Sequence, residues 1–401
     1  MGHHHNNNYY APPTQPYGQP MQQGQQYYTG GQQQYYGQPQ QPQVVYVQQQ
    51  PSHRPNLNGG GGGCLAEATY GSWKSLVSAS AVAQASSSVG SVVVDSEDTR
   101  HVYWIESRSQ ESGRYALLSK SMDDVSESLA VEHLADAKWN VRTAVHEYGG
   151  GAYTVRGGTL VFSNRSDGGM YMLDLKAAGR EPRRVGKQGC RYASFAIHTG
   201  MAWAVCVRKD HREKGAGEPK NSLVAVGLQP NTGPDRVLYS SSDFVSSPTF
   251  DSAGSQLAFF SWDHPEMNWD ATVLRHAAVH ATNDVFSVTE LGPVAGHDAR
   301  ESIYQPRFDS SGVLHFIGDR SGFWNPYHVD VRNGEQVQSS LAQPVDADFA
   351  GSEWVFGEST LLPVAAGRVA VTYSEQGVRR VGVLDAESHG IEQMALPADP
   401  V

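Results

Sequence analysis

The sequence predicts an all-β chain: a β-propeller of six visible four-stranded blades, a seventh left open, behind a disordered Gln/Tyr/Gly/Pro-rich tail. Three observations predict it. Phe250-Asp251-Ser252-Ala253-Gly254 and Phe308-Asp309-Ser310-Ser311-Gly312 repeat each other, and each leads into an apolar strand, Gln256–Phe260 and Val313–Ile317. Comparable apolar runs recur at a step of about 50 residues, near the length that four strands and their turns occupy. Helical periodicity is almost absent, and the runs alternate with period two between Gly, Asp, Asn and Ser.

The tail comes first. From Met1 to Gly63 the chain is almost entirely Gln, Tyr, Gly, Pro and Asn, with Arg54 as its only Lys or Arg and no acidic residue. So few aliphatic side chains cannot offset the entropy of ordering, and residues 1–63 are expected to be a disordered, low-complexity arm. Met1-Gly2 opens like a myristoylation signal, but Asn6 stands where Ser or Thr is required. No charged-then-apolar leader and no run of bilayer length is present, so neither a secretory signal nor a membrane span is expected.

The blades follow. Six units centre near Val102–Ile105, Ala152–Val155 with Leu160–Phe162, Ala202–Val207, Leu257–Phe260, Leu314–Ile317 and Val369–Tyr373, read as inner strands. Outer strands are read at Tyr171–Leu175, Leu223–Leu228, Thr272–Ala278, Tyr327–Val331 and Val381–Leu384. Helical candidates occur only over Ser126–Trp139, and within it Ala135–Ala137 read as easily as a loop. A β-sandwich is the plain alternative, but regular spacing over this length favours radial repetition, which also deals with strand edges.

A net charge of −11 argues against a nucleic-acid partner, which would need a basic face. Cys64, Cys190 and Cys206 form no metal spacing and no disulfide framework. Cys190 and Cys206 are expected as small buried side chains, in a reducing, cytoplasmic setting. His276 and His280 lie in a strand-like run, too spread to chelate, and the glycine runs match no nucleotide-binding pattern. No cofactor and no metal site is assigned.

Five longer segments carry a resemblance. They are Tyr70-Gly71-Ser72-Trp73-Lys74-Ser75; Val141-Arg142-Thr143-Ala144-Val145-His146-Glu147-Tyr148-Gly149-Gly150-Gly151-Ala152-Tyr153; Ser261-Trp262-Asp263-His264-Pro265-Glu266-Met267-Asn268-Trp269-Asp270; Asp319-Arg320-Ser321-Gly322-Phe323-Trp324-Asn325-Pro326-Tyr327; and Glu353-Trp354-Val355-Phe356-Gly357. In this order they resemble the N-terminal propeller of prolyl-oligopeptidase-family serine peptidases, in the acylaminoacyl-peptidase or dipeptidyl-aminopeptidase-like branch. The resemblance covers roughly residues 68–395. It implies a propeller, with a ring generally of seven blades, that caps an α/β-hydrolase domain and admits peptides between the two.

The chemistry of such enzymes sits on a nucleophile elbow in the hydrolase domain. No G-x-S-x-G occurs in these 401 residues, and Ser252 and Ser310 lie in blade turns with Phe two residues before them. No catalytic residue is therefore assigned: the chain is expected to be inactive as it stands, with 396–401 as the start of a linker to an absent hydrolase domain. Residues 40–66, with Gly59–Gly63 and Cys64, also resemble the start of a cysteine-rich transmembrane module, but the cysteine cluster and apolar anchor are missing.

Two groups are candidates for substrate gating. His146, Glu147 and Tyr148 precede three glycines that allow another chain to approach closely. They read either as a loop at the propeller mouth or as an inter-blade connection with His146 and Glu147 hydrogen-bonded inside it. Asp263, His264 and Glu266, with Asp270, form an acidic, aromatic-flanked loop that could attract a peptide amino terminus or be solvated turn charges. The expected function is the non-catalytic, substrate-gating propeller portion of a serine peptidase acting on short peptides, with peptides or an α/β-hydrolase domain as partners. The alternatives are a stand-alone propeller scaffold for protein contacts and an adaptor associated with membranes through its tail.

Overall fold

Strands of period two pair with their sequence neighbours throughout the chain, giving six four-stranded antiparallel sheets in the computed structural model. The structure describes residues 88–123, 130–177, 181–212, 217–297 and 300–395, all within one unit, Lys74–Val401. The expected tail, the Tyr70–Ser75 segment and the expected linker lie outside the described residues.

Blade 1 holds β1 (Ser88–Asp95), β2 (Asp98–Arg108), β3 (Arg114–Ser121) and β4 (Val131–His133). Blade 2 holds β5 (Tyr153–Arg156), β6 (Thr159–Ser163), β7 (Met170–Asp174) and β8 (Arg183–Arg184). Blade 3 holds β9 (Cys190–Ile197), β10 (Trp203–Asp210), β11 (Lys220–Gly227) and β12 (Arg236–Tyr239). Blade 4 holds β13 (Phe244–Phe250), β14 (Gln256–Trp262), β15 (Val273–Ala281) and β16 (Phe286–Ala295). Blade 5 holds β17 (Ile303–Phe308), β18 (Leu314–Gly318), β19 (Asn325–Val329) and β20 (Gln338–Ser339). Blade 6 holds β21 (Leu361–Ala365), β22 (Arg368–Glu375), β23 (Val378–Asp385) and β24 (Gly390–Gln393). The expected six-bladed propeller is the fold observed.

Two expectations need correction. The helix over Ser126–Trp139 does not form where the chain is described: Val131–His133 is the fourth strand of blade 1, pairing Val131 with Ser119, and Arg114 clamps Glu132 at 2.7 Å. Ladder and ion pair override a weak local helical preference. Among the described residues the only helical turn is a 3₁₀ turn at Ser109–Glu111. Second, the strands read as inner are mostly the second strands of their blades. First strands pack on one another from each blade to the next, β1 on β5 and onward to β21. Second strands are covered on both faces, as in β14 and β18, and so read as the most continuous apolar runs.

First strands share a feature that period two does not predict. Ser91, Gly151, Ser194, Ser247 and Gln305, at equivalent points of blades 1 to 5, have φ between 52° and 54°. Four of them sit at register breaks, where one extra residue bulges from the ladder. The bulges stitch blades together: Ser194 N donates to Gly151 O (2.8 Å) and Ser247 N to Ser194 Oγ (3.1 Å). Gln305 Oε1 accepts from Thr360 N at 2.7 Å.

At the opposite end of the strands, the first-to-second hairpins form a second set of ties. Asp309 of the Phe-Asp-Ser-x-Gly turn accepts from Ser311 N (2.9 Å) and Val313 N (3.0 Å) and reaches Gly367 N of blade 6 (3.1 Å). Asp95 does the same toward Gly157 N and Gly158 N of blade 2, at 2.7 and 2.8 Å. Asp251 accepts from Gln256 N at 2.9 Å, while Ser252 and Ser310 are exposed. The Asp, not the Ser, holds each turn.

Apolar clusters fill the faces between successive blades. Tyr103 and Leu117 meet Tyr153 and Phe162 between blades 1 and 2, and Cys206 and Val224 meet Val161 and Met170 between 2 and 3. Trp203 and Val207 meet Leu257 and Phe259 between 3 and 4. Leu274 meets Phe316 between 4 and 5, and Ile317 meets Leu361 and Val371 between 5 and 6. Cys190 and Cys206 are buried free thiols, as expected. No helix among the described residues is long and apolar enough to cross a membrane.

Candidate functional site

Four of the five motif segments meet at one end of the ring, where the first strands begin and the second-to-third connections lie. Val141–Tyr153 runs from β4 into β5, Ser261–Asp270 links β14 to β15, Asp319–Tyr327 leads into β19, and Glu353–Gly357 approaches β21.

The three glycines explain how two of these segments touch. Gly150 bridges Phe356 in parallel, and Phe356 N donates to Gly149 O at 2.9 Å. A Cβ on Gly150 would meet the Phe356 backbone nitrogen at 2.6 Å and its carbonyl oxygen closer still. His146 and Glu147 take φ of 50° and 66°, and Gly149 and Gly150 of 78° and 86°. For non-glycine residues that conformation costs of order 1–2 kcal/mol each and persists only where neighbours hold it. Here Asn268 Nδ2 donates to Glu353 O at 2.8 Å, and Ser302 Oγ to Asn268 O at 3.0 Å, pinning the second segment from below.

Between these segments lies a cavity of about 270 Å³. His146, Glu147, Tyr148, His264 and Glu266 all line it; Asp263 does not. Asp263 instead accepts from Asp243 N at 2.7 Å and from Glu266 N at 3.1 Å, as a turn residue. His264 is fixed by Asp243, its backbone N at 3.0 Å and Nδ1 at 2.8 Å from Asp243 Oδ2, and those bonds hold the Asp243 carboxyl below its usual range. Glu147 is ion-paired to Lys209 (3.1 Å) and Arg191 (3.5 Å), and Glu266 to Arg300.

The aromatic walls include residues not singled out from the sequence. Trp269 and Trp354 lie 4.6 Å apart, with Tyr148 edge-on to Trp354 at 5.7 Å. His146 stands perpendicular to Phe244 at 5.0 Å and tilted on Phe356 at 4.8 Å. Tyr148 is 61% and Trp354 40% exposed, so the rim offers bare ring faces. Trp269, Glu353 and Trp354 belong to the motif segments, and their aromatic density was the available signal. Phe244 and Lys209 carried none.

Charge at this site is set by burial. Burial and the Lys209 charge take the His146 imidazole down to about 3, so it stays neutral. Glu353 is 7% exposed, and its Oε1 is buried without a hydrogen-bond partner. Burial, reinforced by the nearby Glu358 charge, pushes its carboxyl up to about 8, and burial takes Glu358 to about 7. The cavity can therefore hold an apolar or aromatic group against its rings and a cation near its carboxylates.

No protein-family model and no curated protein matches the sequence. Solved structures do. A puromycin-hydrolyzing peptidase from Mycobacterium tuberculosis matches at 30% identity with a TM-score of 0.69, over 82% of this chain and 50% of its own. A puromycin hydrolase matches at 28% identity with the same TM-score, over 81% of this chain and 49% of its own. Prolyl oligopeptidase B from Galerina marginata shares the fold at 9% identity and a TM-score of 0.52, over 78% of this chain and 44% of its own. The chain thus spans about half the length of the peptidase structures it matches. The propeller domain resembles the N-terminal part of prolyl-oligopeptidase-family peptidases.

Proposed function

We propose that this propeller is the non-catalytic, substrate-gating portion of a serine peptidase that acts on short peptides. The observation that carries the proposal is the cavity at the mouth: motif residues from three separate connections build one aromatic, acid-rimmed recess of about 270 Å³. That volume suits one or two side chains rather than a folded chain. Bare faces of Tyr148 and Trp354 take an apolar side chain, while the Glu147 and Glu266 carboxylates at the rim meet a free amino terminus. Bond cleavage belongs to an α/β-hydrolase domain facing the mouth, and the propeller limits what reaches it and excludes water. In this reading residues 68–395 are the propeller, 1–63 a low-complexity arm, and the setting the cytosol.

Tryptophan fluorescence of the purified chain tests the reading. Free-amino tripeptides with an aromatic side chain should quench it saturably, and Trp354→Ala should weaken binding roughly 10-fold, the loss of about 1.4 kcal/mol expected for one ring contact. Unchanged affinity in that variant removes the cavity from the proposal. A fluorophosphonate probe should leave this chain unlabelled; stoichiometric labelling of any serine in it would overturn the non-catalytic assignment.

A further inference from the structure

A second cleft, of about 370 Å³, opens beside the first between blades 2 and 3, and Arg142, Arg165 and Arg191 line it. Their placement is built rather than incidental. One carbonyl, Asn140 O, accepts from both Arg142 N (2.8 Å) and Arg165 N (2.9 Å). Asn140 is itself held by Asn164 Oδ1 (3.0 Å) and Tyr115 N (3.1 Å), beside the Val141–Asn164 bridge. The Arg142 guanidinium lies over the Tyr115 ring, 5.0 Å from its centroid. Arg191 is anchored through Nη1 on Ala144 O at 3.1 Å.

Acceptors for these cations are scarce at the cleft. Its one lining carboxylate, Asp167, is engaged by Arg184 Nη1 (2.9 Å) and the Tyr171 hydroxyl. Glu147 approaches Arg191 at 3.5 Å but lies closer to Lys209, at 3.1 Å. Among the described residues neither Arg142 nor Arg165 forms a salt bridge. His211 Nε2, also lining the cleft, is buried without a hydrogen-bond partner, and the Thr143 hydroxyl accepts from Val145 N at 3.3 Å and keeps its proton to donate.

We propose that this cleft binds an oxyanion, and that its ligand is a carboxylate of a short acidic peptide. Planar guanidinium forks match a carboxylate in geometry and charge, and three arginines lining one recess gain from its partial desolvation. The choice of a peptide rests on the gating function proposed above. One connection serves both recesses: Arg142 to Ala144 lie on the cleft and His146 to Tyr148 on the aromatic cavity. Arg191 and Lys209 both reach the same Glu147 oxygen, at 3.5 and 3.1 Å, so the cleft and the cavity are neighbours at the mouth.

Calorimetry on the full chain separates this site from the cavity. The probes are acetyl-Asp-Glu-Asp, its acetyl-Asn-Gln-Asn amide counterpart, and inorganic phosphate. The blocked acidic peptide, which lacks a free amino terminus, should bind. Arg165→Ala, an exposed position, should weaken it roughly 10-fold; the peptide carries neither a free amino terminus nor an aromatic side chain, so its binding does not depend on the aromatic cavity. Affinity should fall as salt rises, and phosphate should compete. Equal binding of the amide peptide, or wild-type affinity in Arg165→Ala with an unchanged melting temperature, overturns the site. Binding of phosphate without the acidic peptide overturns its assignment to a peptide carboxylate.

Discussion

Glu353 and Gly150 show how much of the mouth rests on single residues. A carboxyl raised by burial binds its proton more tightly in the folded chain, so its contribution is full below the ordinary Glu range and is lost as pH rises toward 8. The buried His198 and the half-buried His146 and His211, all lowered by desolvation, act in the opposite sense, losing their contribution as pH falls below the ordinary His range. The readout is therefore a difference: between pH 5 and 8 the melting temperature of Glu353→Gln should rise relative to wild type, and parallel curves would show that the carboxyl is not buried as described. Gly150→Ala meets the Phe356 backbone at φ 86° and should cost about 2 kcal/mol or more, roughly 4–8 °C in Tm. A Tm within 1 °C or so of wild type would mean that the two segments do not touch.

The Phe-Asp-Ser-x-Gly turn is the element repeated along the chain, and its parts have unequal weight. Asp309 is buried; although burial pushes its carboxyl up, hydrogen bonds from His315, Ser311 and the Gly367 and Val313 backbones hold it low. Asp309→Ala should lower stability by about 1–3 kcal/mol in urea unfolding, whereas exposed Ser310→Ala should change it by less than about 0.5 kcal/mol. The Asp309 share should vanish as pH falls below the ordinary Asp range, since a lowered carboxyl stabilises only while ionised. An equal loss from the two substitutions would contradict the turn geometry. At this scale the repeat was legible because an Asp-to-backbone turn needs a fixed residue at a fixed offset. The bulges at Ser194, Ser247 and Gln305 were not, because no side-chain pattern demands a positive φ of a serine or glutamine.

Across the whole ring, blades 1 and 6 differ from the rest. Among the described residues no buried apolar cluster joins them. Their first strands expose Val89 (64%), Val92 and Val94 on β1 and Leu362 and Val364 on β21, whereas β9, β13 and β17 are largely buried. Hydrogen exchange should be faster for amides of β1 and β21 than for those of β9, β13 and β17, because local opening there exposes little new apolar surface. Uniform protection over all five strands would show that blades 1 and 6 are sealed.

The sequence by itself determined the blade repeat, the six apolar strand runs and the peptidase-like motifs, because period-two burial and turn chemistry act over a few residues and leave a local trace. Five of the six candidate gating residues proved to line one cavity for the same reason: they sit in motif segments that fold back at one end of the blades. Tertiary structure alone decided that Glu353 and Trp354, about 200 residues beyond His146, close that cavity, and that Asn140 O ties the Arg142 and Arg165 backbones together beside a basic cleft. Those arrangements follow from the packing of successive blades, first strand on first strand, which brings distant connections to one mouth. The desolvation there sets the charge of Glu353 and His146, and no local pattern encodes it.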